Sequence, residues 1–317
     1  MSKATADFFE GLPDNWGRWG DNDEVGGLNF LSDSEILRGV KAVESGRTFT
    51  LMMALNSPGK APNWPGREKE LHRMCRDKSH YLSGAVIAGK GGVEYADDII
   101  TVNCHGTTHC DALAHTWLAD KAWNGYNAAA NSIGGIKKAS IRPIAERGIV
   151  GHVVLLDIAR YKKVPYLKMH TRITLEDLIE TADYQKLEIK KYDIVLIRTG
   201  IFNLFFNEGP ESFYKDFAEP GINYDENLIR WFYEMEISVF GTDTLGNEMI
   251  PCPETGIYNA MHAALSRNLG IVFIEAHWLE QWAEDCEKDG KYNGLYVASP
   301  LMIHWATASP VNPVVIK

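Results

Sequence analysis

The sequence contains few cysteines and no long hydrophobic run. No Cys-x-x-Cys pair occurs, and the five cysteines are odd in number and widely scattered: Cys75, Cys104, Cys110, Cys252 and Cys286. This distribution favours reduced thiols over the disulfide framework of a secreted domain. No apolar stretch approaches the about 18 residues of a membrane-spanning helix, and residues 1–16 lack the basic and apolar regions of a signal peptide. We therefore expect a soluble cytoplasmic protein without a membrane partner.

Basic residues are also in deficit. The chain has 32 Lys and Arg against 42 Asp and Glu, which gives a formal net charge of -10. Proteins that bind nucleic acid neutralise phosphates with a basic surface, so this balance excludes nucleic acid as the main partner. The motifs of a serine-hydrolase elbow and of a dinucleotide site are absent, and the glycine-rich stretch 89–92 lacks the Ser or Thr of a phosphate-binding loop. The expected partner is a small-molecule substrate.

No repeat, low-complexity segment or Pro/Ser-rich linker divides the chain, so we predict a single domain over residues 1–317. Its first part, residues 1 to about 45, is rich in Gly and Trp and is expected to be an irregular extension. Apolar runs rich in β-branched residues predict buried strands at 151–157, 192–198, 237–241 and 270–275. Amphipathic spacing predicts helices at 174–180, 224–234 and 259–267. Strands that alternate with helices indicate an α/β domain.

The densest chemical signal lies between positions 103 and 115. Three of the ten histidines and an aspartate fall within eleven residues: His105, His109, Asp111 and His115. In an extended strand these positions share one face, and the Cα atoms of His109 and Asp111 would lie about 7 Å apart, so both side chains could bind one ion. His105 would be about 13 Å from His109 in a straight strand, so we expect a bend at Gly106 that returns it to the site. His115 must likewise return across a turn at 112–114.

A helix is the alternative conformation for this segment. It would place His105 and His109 on one face but would leave Asp111 roughly 200° from His109 around the axis. Because the extended conformation uses more of these residues, we favour it. Cys104 and Cys110 have the opposite strand parity and are expected to point into the core rather than to act as ligands. Nitrogen and carboxylate ligands suit Zn or Mn without distinguishing between them.

Segment 105–115 resembles the HxGTHxDxxxH signature of the cyclase family of metal-dependent hydrolases, which includes bacterial kynurenine formamidase, isatin hydrolase and trans-dienelactone hydrolase. The spacing agrees at all four polar positions, although Gly106 follows His105 immediately and Thr108 precedes His109, where the usual order is x-Gly-Thr. Further similarity covers stretches 19–29, 193–200, 241–244 and 309–313. The resemblance implies a swivelling β/β/α fold and a homodimer or homotetramer. The long N-terminal part is similar to the longer subfamily.

The resemblance implies that His105, His109 and Asp111 bind a divalent metal, Zn or Mn, and that His115 is the catalytic acid or base. A divalent ion lowers the pKa of bound water to about 7 and polarises a carbonyl, while a histidine can move the water's proton to the leaving atom. This chemistry suits hydrolysis of a small cyclic or N-acyl amide or a lactone, as in a formamidase, an isatin-type lactam hydrolase or a dienelactone hydrolase. The alternatives are a metal-dependent lyase or dehydratase of a hydroxy acid and a catalytically silent binding protein.

The resemblance also adds His262 and Glu275 to the site as ligands of one or two ions, with Glu275 acting in catalysis as well. The residues support Glu275 independently, because a carboxylate that ends the buried run 270–274 is costly without a cation or donor. His277 shares strand parity with Glu275 and could reach the same pocket. Asp243, in a Gly-Thr-Asp-Thr turn, is expected to stabilise that turn rather than to bind metal.

Aromatic residues are candidates for the wall of a substrate pocket. Trp19 and Phe30 form one candidate set together with Trp16, and Trp64 forms another with Trp123. Packing in the core or at a subunit interface explains each of them equally well. The sequence leaves these alternatives open.

Overall fold

One large mixed sheet organises the computed structural model, which describes residues 8–55 and 61–317. The strands of these residues are β1 (Thr48–Thr50), β2 (Leu71–Arg76), β3 (Asp97–Thr101), β4 (His109–Asp111), β5 (Ile149–Asp157), β6 (Arg172–Ile173), β7 (Ile194–Arg198), β8 (Gly221–Ile222), β9 (Val239–Thr242), β10 (Val272–Glu275), β11 (Asn293–Ala298), β12 (Ala308–Pro310) and β13 (Val314–Ile316). Nine of them form the large sheet in the order β1-β13-β11-β5-β7-β9-β10-β4-β12. β2 pairs with β3, and β6 pairs with β8, in two small separate sheets.

Short helices connect the strands. The α-helices of the described residues are α1 (Asp33–Lys41), α2 (Lys78–Leu82), α3 (Ala128–Ser132), α4 (Ile141–Arg147), α5 (Ile158–Tyr161), α6 (Leu175–Tyr184), α7 (Phe202–Glu208), α8 (Pro210–Tyr214), α9 (Glu226–Glu234) and α10 (Glu280–Asp289). Two short 3-10 helices cover Gly26–Phe30 and Trp123–Gly125, and a π-helix covers His262–Asn268. Within 8–55 and 61–317, no helix has both the length and the apolar character needed to cross a membrane.

The four strands predicted from apolar runs lie side by side at the centre of the sheet. β5, β7, β9 and β10 are all parallel to one another. Their side chains alternate between two cores: Val153 and Leu155 of β5 pack in one, and Val154 and Leu156 pack in the other. Each strand is therefore buried on both faces, which explains why its sequence is apolar without alternation. The prediction of an α/β fold is confirmed.

Helices cover both faces of this central sheet. Ile144 of α4 and Trp282 of α10 pack in the first core, while Leu178 of α6 and Phe232 of α9 pack in the second. The cap predicted for α6 is present. The Thr174 hydroxyl accepts a hydrogen bond from the N–H of Asp177, and the Asp177 carboxylate accepts one from the N–H of Thr174. Layering of this kind leaves the ends of the central strands open for a site.

The helix predicted at 259–267 differs from an ordinary α-helix. It is a π-helix, and it begins at His262. The backbone N–H groups of Met261 and His262 both donate to the carboxylate of Glu248, so this helix end is satisfied by a buried acid from a distant loop. π-helical turns are frequent at functional sites. His262 is thereby fixed at the start of a helix that packs beside β10.

The N-terminal segment differs from the expected irregular extension. Its first seven residues lie outside the described part of the chain, and the remainder includes α1, whose first turn carries Asp33 and Glu35 and whose last turn carries Arg38 and Lys41. This charge arrangement favours a helix. α1 lies against β5, with so little space that a Cβ on Gly39 would be 2.9 Å from the backbone of β5. The segment is therefore part of the first core's cover.

Candidate metal centre

A short strand and a tight turn bring the predicted ligands of segment 105–115 together. The Gly106 N–H donates to the Asn103 carbonyl at 2.9 Å, and a Cβ on Gly106 would stand only 2.9 Å from that oxygen. The expected bend at this glycine is therefore confirmed, and it carries His105 back toward the strand. His109 and Asp111 lie on β4 and share a face, and Asp111 Oδ1 is 3.0 Å from His105 Nδ1 and 3.4 Å from His109 Nε2.

Two neighbouring elements complete the cluster. β10 pairs antiparallel with β4 and places Glu275 directly opposite His109, with Glu275 Oε2 3.2 Å from His109 Nε2. His262 lies at the start of the π-helix. Its Nε2 is 3.3 Å from Glu275 Oε1 and 3.7 Å from Asp111 Oδ2. The five predicted ligand side chains thus converge, and Asp111 belongs to two possible three-residue ligand sets whose atoms lie within 4.8 Å of one another.

The buried polar atoms of this cluster fit a divalent cation. His105 Nδ1, His109 Nε2, both oxygens of Asp111 and Glu275 Oε1 are buried without a hydrogen-bond partner among the described residues. Buried polar atoms are normally satisfied, so five such atoms facing one another indicate a missing partner. Imidazole nitrogens and carboxylate oxygens are ligands of Zn and Mn. The donor set therefore fits a divalent metal.

Hydrogen bonds with the surrounding chain orient the three rings of the candidate ligands. His109 Nδ1 donates to the Thr107 carbonyl at 2.6 Å, which leaves Nε2 free to face the cluster. Nε2 of His105 bonds the Thr307 hydroxyl at 2.9 Å, which leaves Nδ1 free. Nδ1 of His262 lies 2.5 Å from Glu248 Oε1. Such outer contacts set the tautomer and aim of a ligating histidine.

The acid and base groups of the cluster stabilise one another's charged forms. Burial acts to lower the pKa of His109, but the carboxylates of Asp111 and Glu275 outweigh it and raise the pKa to about 9. The pKa of His262 is likewise raised despite its burial, by the carboxylates around it. Burial acts to raise the pKa of Asp111, yet the charges of the surrounding histidines hold it well below the usual value. The carboxylates therefore need positive charge beside them, which a cation supplies as well as protons do.

His115 stands beside the cluster. The His115 N–H donates a hydrogen bond to the Ala112 carbonyl at 2.9 Å, which confirms the expected turn across 112–114 and places the His115 side chain next to His105. Its ring centroid is 4.2 Å from that of His105 and 6.3 Å from that of His262. Burial lowers the pKa of His115 to about 4, with the two neighbouring rings adding to the effect and the charge of Asp111 opposing it. Its ring is therefore neutral at pH 7 and has no hydrogen bond to another described side chain.

A cavity of about 180 Å³ opens over this centre. His115, His262 and Glu275 line its inner part, and Trp64 and Arg67 line its rim together with Tyr258 and Asn259. Trp64 therefore lies where a pocket-wall aromatic was expected. The cavity gives the cluster an opening to solvent of a size suited to a small molecule.

The other candidate pocket residues, Trp19, Phe30 and His277, do not line this cavity. Trp19 packs edge-on against Phe30 at 4.9 Å, and Phe30 stacks on Tyr192, so this pair belongs to the cover of the first core. His277 is fully buried and bonds the Tyr296 hydroxyl at 2.9 Å. Ala276 has a φ of 56°, a left-handed conformation that interrupts the strand alternation on which the expectation for His277 rested.

Two further expectations concern residues near the centre. Asp243 accepts hydrogen bonds from the backbone N–H groups of Thr199 and Gly200, each at 2.7 Å, so it joins two loops as a structural group and extends no ligand toward the cluster. Cys110 is fully buried in the first core as expected. Cys104 is only half-buried, because the turn before β4 takes it out of strand geometry, so the expectation that it points into the core is wrong.

Sequence reasoning missed three residues that contact the ligands. Glu248 holds His262, the Thr307 hydroxyl bonds His105, and a guanidinium N–H of Arg67 donates to the His105 carbonyl. None of them lies near its partner in the sequence, and none belongs to a motif that names a metal site. Only the fold brings them to the cluster, so no local sequence signal could have identified them.

The sequence and the fold of this chain are similar to those of known proteins. Residues 49–249 match the sequence model of the Cyclase family, described as "Putative cyclase". A crystal structure described as that of a novel cyclase is 30% identical, with a TM-score of 0.86 over 96% of this chain and 98% of that chain. The chain belongs to the cyclase family. Its predicted fold class and its resemblance to this family are thereby confirmed.

Two solved structures of lower sequence identity share the fold. Isatin hydrolase A from Labrenzia aggregata, bound to benzyl benzoate, is 20% identical, with a TM-score of 0.55 over 90% of this chain and 99% of that chain. Isatin hydrolase A from Ralstonia solanacearum is 19% identical, with a TM-score of 0.56 over 84% of this chain and 90% of that chain. No curated protein matches this cyclase-family chain significantly.

Proposed function

We propose that this cyclase-family protein is a metal-dependent hydrolase of a small cyclic or N-acyl amide or of a lactone. The observation that carries the proposal is the set of five buried, unpartnered donor atoms on His105, His109, Asp111 and Glu275 that face one another beneath an open cavity. Membership of the cyclase family supports it, and the isatin hydrolases that share the fold make a lactam one of the substrates to test.

The metal would be held by His105, His109 and Asp111, with His262 and Glu275 completing the site. When bound, a divalent cation such as Zn or Mn acidifies water and polarises a carbonyl oxygen. The chain's part is to present neutral imidazole nitrogens, and the bonds from Thr107, Thr307 and Glu248 fix which nitrogen of each ring faces the cluster.

His115 is the proposed acid and base. It lines the cavity beside the ligand rings, no hydrogen bond from another described side chain fixes it, and its low pKa keeps the ring neutral at pH 7. A neutral imidazole can accept the proton of an attacking water and then donate it to the nitrogen or oxygen that leaves. Glu275 faces the same cavity and shares the inner wall with His115.

The cavity restricts the substrate class. Its volume of about 180 Å³ is below the roughly 300–1,000 Å³ of pockets that hold drug-sized ligands. Trp64 and Tyr258 at the rim provide flat apolar surfaces against which a planar ring can pack. A substrate built on one or two small rings is the proposed occupant.

The first test is metal content per chain, measured by elemental mass spectrometry on protein purified without chelator or affinity-column metal. We expect one or two equivalents of Zn or Mn, and loss of that metal in Asp111→Asn and His109→Ala. His72→Ala is the control, because His72 also pairs with an aspartate but lies exposed on β2. Metal-free wild-type protein that takes up none on titration would refute the proposal.

The second test is turnover. N-formylkynurenine, isatin and trans-dienelactone represent the formamide, lactam and lactone classes. We expect hydrolysis of at least one class by metal-loaded protein, with one atom of ¹⁸O from labelled water in the product. A product without incorporated label would contradict hydrolysis and would favour a lyase.

A further inference from the structure

Among the residues that the structure describes, Arg67 is the one arginine or lysine on the wall of the cavity above the candidate metal centre. Its side chain is half-buried at the rim, and one N–H donates to the carbonyl of His105. Among the described residues no carboxylate lies within ion-pair distance of it. The guanidinium has five N–H donors, so most of its hydrogen-bonding capacity is left for a ligand in the cavity.

We propose that Arg67 binds a carboxylate of the substrate, so that the substrates of this enzyme are small anionic amides or lactones. The inference rests on the proposed hydrolase function and narrows it. A planar guanidinium can bind a carboxylate through two parallel hydrogen bonds, which fixes orientation as well as position. Its bond to the His105 carbonyl ties that position to a ligand of the metal.

The electrostatics of the chain favour a positively charged residue at the rim for an anionic substrate. The protein carries a formal net charge of -10, and the cavity floor contains the carboxylate of Glu275. An anion that approaches is repelled unless a local cation compensates. Arg67 supplies this cation at the rim, where Trp64 on the same short loop flanks it and offers a surface for the ring of the substrate.

The bond to the His105 carbonyl alone does not require arginine. Glutamine could donate to a carbonyl equally well, and lysine would keep both a donor and a charge, although neither forms a bidentate contact with a carboxylate. These two substitutions therefore separate a positioning role for the loop from recognition of an anion.

The experiment compares benzoate with the neutral benzyl alcohol by isothermal titration calorimetry on metal-loaded protein. We expect wild-type protein to bind benzoate, Arg67→Gln to bind it at least about tenfold more weakly, and Arg67→Lys to be intermediate. Binding of benzyl alcohol and metal content should not change. Arg73→Gln, which alters an exposed arginine on β2, is the control.

Other results would overturn the inference. Absence of benzoate binding to the wild type, or equal benzoate affinity in the wild type and Arg67→Gln, means that Arg67 does not recognise the anion. Loss of metal in Arg67→Gln would mean that Arg67 positions the loop of His105 and does not recognise the substrate. The test of Arg67 measures binding of benzoate and does not depend on turnover. If the protein hydrolyses none of the candidate substrates, the proposed function fails, but the binding result for Arg67 still stands by itself.

Discussion

The carboxylate of Glu248 accepts two hydrogen bonds from His262 and a third from its neighbour Met261. Oε1 accepts from the ring Nδ1 at 2.5 Å and from the His262 N–H at 2.7 Å, and Oε2 accepts from the Met261 N–H at 2.8 Å. The ring cannot rotate without breaking the Nδ1 bond, and its Nε2 is left facing Asp111 and Glu275. Backbone and side chain of one predicted ligand are therefore positioned by the same acid.

Replacing Glu248 should weaken metal binding without removing a ligand. In Glu248→Gln a neutral amide, with one oxygen acceptor, replaces the two ionised oxygens that accept the three hydrogen bonds. His262 then loses the acceptor that sets its tautomer. We expect metal affinity to fall about 10–100-fold, as measured by competition with a chromophoric chelator. Glu254→Gln, at an exposed glutamate on the same connecting segment, should leave the affinity unchanged. Equal affinities in wild type and Glu248→Gln would show that His262 does not bind the metal.

Replacing His115 should separate chemistry from metal binding. If His115 is the acid and base, His115→Asn should lower turnover about 10²–10⁴-fold while the protein keeps its full metal content. The two measurements are steady-state kinetics on a substrate that the wild type hydrolyses and elemental analysis of the same sample. His304→Asn, whose parent residue stacks on Trp305, is a matched control. A metal-free His115→Asn would identify His115 as a ligand instead.

The buried ion pair of Arg198 should be important for stability. Arg198 bonds Asp157 at 2.8 Å and Glu280 at 2.8 and 2.9 Å, and the side chain of Asp157 is almost completely buried. These carboxylates raise the pKa of Arg198 against the effect of burial. Arg198→Met leaves buried charge without a partner and should cost about 3–5 kcal/mol of unfolding free energy, measured by urea denaturation.

An exposed pair provides the contrast for that measurement. Arg142 bonds Glu146 at 2.7 Å, with both side chains about half exposed, so Arg142→Met should cost less than about 1 kcal/mol. Similar losses in the two variants would mean that burial does not set the importance of the Arg198 contacts.

The ion pairs of Asp289 predict an acid-dependent stability. Burial acts to raise the pKa of Asp289, but hydrogen bonds from Lys317 and Lys291 and the contact with Arg47 hold it below the usual value. A carboxyl whose pKa is lower in the folded state stabilises that state above the unfolded pKa of about 3.9, and the contribution disappears as pH falls through the folded pKa. Asp289→Asn should therefore be less stable than the wild type by about 1 kcal/mol at pH 7, and the difference should shrink below about pH 4. Urea midpoints at pH 7 and pH 3 test this, and a constant difference would contradict it.

Much of the fold could be predicted because the determining signals are local. The apolar runs of β5, β7, β9 and β10 are long, rich in β-branched residues and bounded by polar residues or Gly, so their burial on both faces was evident from composition alone. The capping box at Thr174 is likewise a local pattern. α1 was missed because its segment is short and its neighbours are rich in Gly and Trp, while the tertiary contact with β5 that stabilises it is not visible in the sequence.

Prediction of which candidate side chains come together rested on strand parity and turn chemistry. His109 and Asp111 are two residues apart on a strand, and Gly106 marks the bend that returns His105. It failed where backbone conformation changes in one residue, as at Ala276, whose left-handed φ turns His277 away from the cavity. It also missed Glu248, because a carboxylate that orients a histidine from a separate loop leaves no periodic or motif signal.

The position of β4 in the sheet has a consequence for biosynthesis. This strand of three residues pairs with β10 on one side and with β12 on the other, and His105 bonds Thr307, 202 residues further along the chain. While the ribosome is still making the central strands, the ligand loop has neither neighbour available and must remain without its place in the sheet. Contacts of such long sequence separation form late. The histidines of this loop therefore stay accessible in the nascent protein until β12 has been made, and the candidate metal centre can be assembled only after that point.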